Sequence, residues 1–186
     1  MIRMDYWRYF RVPNHIYQVP TSEGIIIPLP KFLQYSLYKL INIQNTEQEC
    51  FKWCIARSDC LNRGHNERVS REVKEHAEKY DWTGIKFPIS IRQIDRFQKQ
   101  NNVSDNLYVN EGVSFYPLKI TEVIKEKRVD LLLLDDEQNK HFVLIEDLNR
   151  LINPNTHKKA HTCHWCLPRF YQESLRIEHE ENCSKN

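Results

Sequence analysis

Two sets of residues in this chain have the types and spacing that chemistry needs. The first is Cys163-x2-Cys166-x12-His179-x3-Cys183. A CxxC knuckle offers two thiolates from one tight turn, and residues four apart, as His179 and Cys183 are, share a helix face. Three thiolates and an imidazole suit zinc, which takes four such ligands in a tetrahedron at ~2.3 Å to sulfur and ~2.0 Å to nitrogen. The spacing therefore predicts one structural zinc ion on Cys163, Cys166, His179 and Cys183. Phe170 and Leu175 supply a small core between knuckle and helix, with Leu175 or Ile177 filling in around Arg176. A segment this short buries too little surface to fold without its metal.

The second set is a cysteine and a histidine far apart in sequence. A nucleophilic thiol needs a depressed pKa, a general base and donors for an oxyanion. Cys50 stands where the polar turn NIQNTEQE gives way to the apolar run CFKWCIA, the place of a helix start whose dipole favours a thiolate. His141 stands where DDEQN gives way to the strand-like HFVLI. Asn139, two residues earlier on the same strand face, is placed to orient the imidazole, and Asp147 is the alternative orienter. Gln48 is placed to help the Cys50 N–H hold an oxyanion. A cysteine opening an apolar helix is also commonly a packed core thiol, since free cysteine is among the most buried residues. The pattern leaves both roles open. Cys50, Cys54, Cys60 and His65 would make a second zinc site only with a spacing that no standard knuckle has. Cys54 reads instead as core and Cys60 as surface loop.

The elements that must position these groups follow from periodicity. Residues 1–24 are rich in proline and aromatics and read as an extended segment, and residues 31–42 have loosely helical spacing. Val69, Val73, Ala77 and Tyr80 recur at helical spacing, and Ser90 caps a helix that places Ile91, Ile94 and Phe97 on one face. Beyond residue 102 the period shortens. Segments near 106–110, 114–120, 129–134 and 141–146 read as strands, with LLLL at 131–134 apolar on both faces and therefore central. Helices followed by a meander of strands predict an α+β domain with an antiparallel sheet over residues 25–151. A polar linker at 152–162 and a metal-binding unit at 163–186 follow.

Composition narrows the rest. A net charge of +2 over 186 residues advertises neither nucleic acid nor membrane through a global field. No apolar run reaches the ~18 residues of a membrane span, and the amino terminus lacks the apolar core of a signal peptide. A cytoplasmic or nuclear chain with reduced thiols is the expectation. From Cys163 onward three cationic residues face four acidic ones, a poor footprint for phosphates. This favours a structural or protein-contacting unit over a reader of DNA.

The stretches IIIPLP (25–30), INIQNTEQECFKW (41–53), GIKFPISIRQIDRFQKQNNVS (84–104), YPLKIT (116–121), VDLLLLD (129–135) and HFVLIEDLNRL (141–151) carry a resemblance. Their order resembles a block encoded by Maverick/Polinton-type DNA transposons, upstream of the protein-primed DNA polymerase. That block ends in a similar CxxC…HxxxC unit, the CCHC variant of the two-cysteine, two-histidine zinc finger. The Cys-to-His layout is also similar to ovarian-tumour-type and viral-tegument-type deubiquitinases. Two positions depart from those patterns: Glu47 stands where the first usually has Asp, and Asn139 where the second does. The resemblance implies a papain-like fold and thiol hydrolysis of an isopeptide or peptide bond on ubiquitin or a ubiquitin-like protein. Cys50 would attack, His141 shuttle the proton and Asn139 orient it. The rival expectation is a non-enzymatic, transposon-derived module that binds nucleic acid or a replication partner.

Overall fold

A computed structural model describes residues 26–60, 64–121, 125–136, 139–155 and 160–183. The expected extended segment at 1–24 lies outside them. Strand β1 (Leu40–Ile41) follows two short 3-10 turns, where helical spacing was expected. Three helices come next: α1 (Cys50–Arg57), α2 (Arg71–Ala77) and α3 (Ile91–Asn101). Strands β2 (Val103–Glu111), β3 (Ser114–Lys119), β4 (Lys127–Asp135) and β5 (Lys140–Ile145) succeed them. Helix α4 (Leu148–Ile152), strands β6 (His161–Thr162) and β7 (Arg169–Phe170), and helix α5 (Glu173–Cys183) complete the order. The chain is mixed α+β. Among the described residues no helix is long and apolar enough to cross a membrane.

The sheet runs β1-β5-β4-β2-β3 and is mixed, which corrects the expected antiparallel meander: β2 and β4 pair in parallel, from Val103↔Lys127 to Val109↔Leu133. Burial explains the departure. Residues 103–109 are buried without interruption, as are 131–134, so both strands need neighbours and cover on every side. β3 buries only Pro117 and leaves its other residues exposed or half-buried, which suits an edge. A meander would have placed it between the two most apolar strands.

Each face of the sheet carries a core. On the first, Leu131, Leu133, Phe142 and Leu144 meet Phe51, Ile55, Val73, Ile94 and Phe97 from α1, α2 and α3. Phe51 stands edge-on to Phe97 and Phe142, at ring separations of 5.3 and 5.5 Å. On the second face Tyr108, Leu132, Leu134, Val143 and Ile145 meet Ile27, Leu33, Leu148 and Leu151, with Leu167 packed against them. Ser90 caps α3, as the sequence predicts, and Gln93 completes a capping box with it. Asp105 on β2 is fully buried, and neither of its carboxylate oxygens has a hydrogen-bond partner among the described residues.

Candidate functional site

Cys163, Cys166, His179 and Cys183 converge, with ligand atoms all within 4.8 Å of one another. Two local structures bring them together. The knuckle is a turn in which the Leu167 N–H donates to the Cys163 carbonyl (3.0 Å) and the Trp165 N–H to the Cys163 sulfur (3.4 Å). Leu167 takes φ 66°, the left-handed conformation that closes such a turn. Helix α5 then carries His179 and Cys183 on one face. The separations are 3.6 Å for Cys163–Cys166, 3.2 Å for Cys166–Cys183 and 3.1 Å from Cys166 Sγ to His179 Nε2. A tetrahedron with bonds of ~2.3 Å has edges of ~3.8 Å, so a small expansion admits an ion. Burial raises the Cys163 and Cys166 thiols; the sulfurs of Cys183 and Cys163 add to it at Cys166, and Cys183 adds to it at Cys163 against the opposing Cys166 contact. Gathering thiols at such a cost makes sense where a cation replaces their protons. The group can hold one metal ion.

Glu180 locks the knuckle onto α5. Its carboxylate accepts from the His164 N–H (3.1 Å), contacts His164 Nδ1 (3.0 Å) and pairs with Arg176. Arg176 therefore serves this carboxylate. The expected small core does not form: Leu175 and Ile177 are both 47% exposed. Phe170 lies against the His179 ring instead, at 4.9 Å. The rest of the apolar support is borrowed from the main sheet, where Leu167 joins the second core and the Tyr108 hydroxyl donates to the His164 carbonyl (3.4 Å). The expected linker is partly structured. β6 within it pairs with β7, Ala160 is buried, and the Thr162 N–H donates to Asn149 Oδ1 on α4 (2.6 Å).

Cys50 is the first residue of α1, and His141 is the second residue of β5. The Cys50 sulfur accepts from the Phe142 N–H at 3.5 Å, and the Cys54 thiol donates to the Phe142 carbonyl at 3.3 Å. β1 pairs with β5 only at Ile145 and Leu144, so two thiols serve the Phe142 backbone where β1 falls short of it. Cys50 is 7% exposed and Cys54 not at all. Burial pushes the Cys50 thiol up, against the opposing pull of the Phe142 N–H. Cys54 is pushed further by burial and by Cys50 beside it. The expected activation of Cys50 is thus reversed: a helix start stabilises a thiolate only where water or a cation also reaches it.

His141 is 3% exposed and shares the parity of Val143, so its ring belongs to the second core while Cys50 belongs to the first. The ring's hydrogen bond goes to Asn42, with 2.7 Å between Nε2 and Oδ1. The Asn42 amide nitrogen is committed to the Ile27 carbonyl (3.0 Å), so its oxygen faces the ring and Nε2 carries the proton. Burial lowers the His141 pKa to about 4. The imidazole is neutral, with Nδ1 as its basic nitrogen.

The other expected residues have local duties. Asn139 is buried in the β4–β5 turn, where its N–H donates to Asp136 Oδ1 (2.6 Å). The ring partner expected of it is Asn42. Asp147 caps α4 by accepting from the Arg150 N–H (3.2 Å), which corrects its alternative role as orienter. Gln48 is half-buried in the turn before α1. Cys60 donates to the Ala56 carbonyl (3.5 Å), and His65 is exposed beside Glu67. Sequence reasoning missed Asn42, though a signal was present: one polar residue between Ile41 and Ile43 in a strand-like run points to the face opposite its neighbours. No family model matches the chain, and neither the curated proteins nor the solved structures hold a significant match to it.

Proposed function

We propose that the chain is a zinc-dependent binding module whose metal ion is structural. One observation carries the reading: the four ligand atoms of Cys163, Cys166, His179 and Cys183 converge within 4.8 Å. Three soft sulfurs and an imidazole in a tetrahedral set select zinc among the common cellular divalent ions. Four protein ligands leave no open position for substrate, so the ion organises structure rather than activating water. Zinc holds the knuckle to α5, and the knuckle wedges Leu167 into the second core. The unit is a fixed part of the surface the molecule presents. The test is metal content by mass spectrometry of protein purified without added metal. One zinc per chain is expected, falling to none in Cys166→Ser with His179→Ala. Zero or two zinc ions in the unaltered chain overturns the reading.

A second reading, thiol hydrolysis of an isopeptide or peptide bond on ubiquitin or a relative, is what the resemblance implies, and it requires Cys50 and the His141 ring to reach one face of the sheet. The Cys50 sulfur contacts the N–H of the residue that follows His141, and Asn42 fixes the His141 tautomer with Nδ1 as base. In that reading the His141 ring leaves the second core to reach Cys50, Nδ1 takes the thiol proton as sulfur attacks the carbonyl and passes it to the departing amine, and water then hydrolyses the thioester. A ubiquitin with a thiol-reactive carboxy terminus then labels Cys50 alone, and His141→Ala slows labelling by ~10²-fold or more. Absence of labelling in folded protein, together with slow alkylation of Cys50, removes it.

A further inference from the structure

The chain's small positive excess is not spread evenly. Helix α2 balances Arg71 and Lys74 against Glu72 and Glu75, while α5 sets Arg176 alone against four glutamates. Helix α3 is the reverse case. Ile94 and Phe97 turn into the first core, leaving Arg92, Arg96 and Lys99 exposed at i, i+4 and i+7, which is one stripe. Its only acidic residue, Asp95, is matched by Lys119 at 2.9 Å. An open groove runs along this face, lined by Arg92, Asp95, Arg96, Lys99 and Gln100. Arg96 is held across it, donating to the Gly84 carbonyl at 3.4 Å, where a Cβ on Gly84 would meet the guanidinium at 2.5 Å. Lys86 is exposed two residues beyond that glycine, and Asp81 is the nearby counter-charge.

We infer that the exposed face of α3 binds the phosphate backbone of double-stranded nucleic acid, without reading its sequence. A helix rises 1.5 Å per residue, so the three cations lie about 6 and 4.5 Å apart along the axis, close enough to meet successive phosphates of one strand. Guanidinium forks and a lysine are the groups that take phosphate oxygens, and the Gln100 amide adds a neutral donor. The groove lining contains no aromatic or aliphatic residue. It therefore lacks the buried anchor of a protein partner and the stacking platform that single strands use. Charge alone favours the polymer with the denser phosphate array, which is the duplex. The sheet separates α3, on the first core, from the Cys3His unit on the second, so this surface works whether or not the metal reading holds.

The experiment is fluorescence anisotropy of the full, metal-loaded chain with an arbitrary 20-base-pair DNA duplex between 50 and 200 mM salt. Binding in the non-specific range, ~10⁻⁴ to 10⁻⁶ M near physiological salt, is expected, with affinity falling steeply as salt rises. Arg92→Gln with Arg96→Gln and Lys99→Gln weakens it by at least about tenfold at low salt. The same triple substitution flattens the log–log salt slope by about 2.7, at ~0.9 per lost phosphate contact. Because Arg96 also touches Gly84, the double variant Arg92→Gln/Lys99→Gln must show about two-thirds of that change. Arg71→Gln/Lys74→Gln on α2 removes the same charge elsewhere and leaves the slope within about 0.5. Failure of the unaltered chain to bind at 50 mM salt overturns the inference. So does equal weakening by the α2 and α3 variants, or a single strand or polyglutamate that competes as well as duplex.

Discussion

The two faces of one sheet use the same residue types in opposite ways. On the first face Cys50 and Cys54 are single thiols set among hydrocarbon, serving the backbone of Phe142. On the second, Cys163, Cys166 and Cys183 crowd within reach of one another and of His179. Burial raises the pKa of thiols on both faces. Clustering separates them: an isolated buried thiol stays protonated and inert, whereas a cluster of thiols is relieved only by a cation. The lesson extends to histidine. His179 is a ligand candidate because three sulfurs surround it. His141 sits deeper and is held neutral by burial, with Asn42 fixing its tautomer.

Removing the metal is the harshest way to break this comparison, because the two faces share strands. If the Cys3His unit were an appendage, its loss would leave the main unfolding transition unchanged. Cys163 is instead fully buried, half-buried Leu167 packs against the second core, and Tyr108 reaches across to His164. Structural zinc in small units is worth ~10–16 kcal/mol of apparent binding free energy, much of the stability of a domain this size. Chelation, or His179→Ala, is therefore expected to lower the main thermal midpoint. It should also expose amides of α4 and of β2 around Tyr108 to hydrogen exchange. A metal-free chain whose main transition and β2 protection are unchanged would separate the two faces.

Alkylation compares the thiols directly. In the metal-free chain Cys166 and Cys183 should react like exposed thiols, while Cys50 and Cys54 wait for an opening of the first core. An opening free energy of about 4 kcal/mol makes that contrast roughly 10³-fold. Metal should abolish the fast phase and leave the slow one alone. Fast modification of Cys50 in the loaded protein would invert the assignment and favour thiol hydrolysis.

The faces also titrate in opposite senses. Burial raises Asp105, on the first, from 3.8 to about 7, despite lysines 119, 127 and 125 nearby. The group contributes stability that is fully present below pH 3.8 and lost as pH rises to about 7. The change is about 4 kcal/mol at 1.36 kcal/mol per pH unit. Burial lowers His141, on the second, from 6.5 to about 4. Its contribution is present above pH 6.5 and lost as pH falls through about 4, a change of about 3 kcal/mol. Between pH 4 and 6.5 the two largely cancel. Asp105→Asn is expected to raise stability at pH 7 by a few kcal/mol and to unmask the rise with pH that His141 produces. Denaturant midpoints at pH 4.5, 5.5 and 7 measure it. An unchanged profile in Asp105→Asn would mean that its carboxylate ionises normally in the fold.

Local signals made much of this legible. The convergence of Cys163, Cys166, His179 and Cys183 follows from spacing, the α3 start from Ser90, and the central place of β4 from its leucines. What sequence could not supply was the second partner in each contact. Parallel pairing of β2 with β4 depends on which strand is least able to sit inside, a comparison among strands rather than a property of one. Leu175 looked like a local core for the Cys3His unit because its neighbours in sequence offer no other; here Leu167 packs against the sheet's core, which only the docking reveals. Asn139 was the nearer asparagine to His141 in sequence, yet Asn42, 99 residues away, holds the ring.

The smallest expected effect is the most specific. Tyr108→Phe removes one hydroxyl from a fully buried side chain and leaves the His164 carbonyl without that donor. A neutral hydrogen bond contributes about 1 kcal/mol, and this one is long at 3.4 Å, so a loss of about 0.5–1 kcal/mol is expected in the metal-loaded chain. The metal-free chain supplies the control. If the knuckle leaves the sheet when the ion is removed, the hydroxyl has no carbonyl to meet and the same substitution costs almost nothing. The difference between the two costs is the coupling energy of a double-mutant cycle in which metal is one of the perturbations. By linkage the same difference must reappear as weaker metal binding by the Tyr108→Phe chain, by a factor of about 2 to 5 for 0.5–1 kcal/mol. Competition with a chelator of known affinity reads that factor independently of unfolding. Equal costs with and without metal, or unaltered metal affinity, would mean that the Cys3His unit rests against β2 without energetic connection to it.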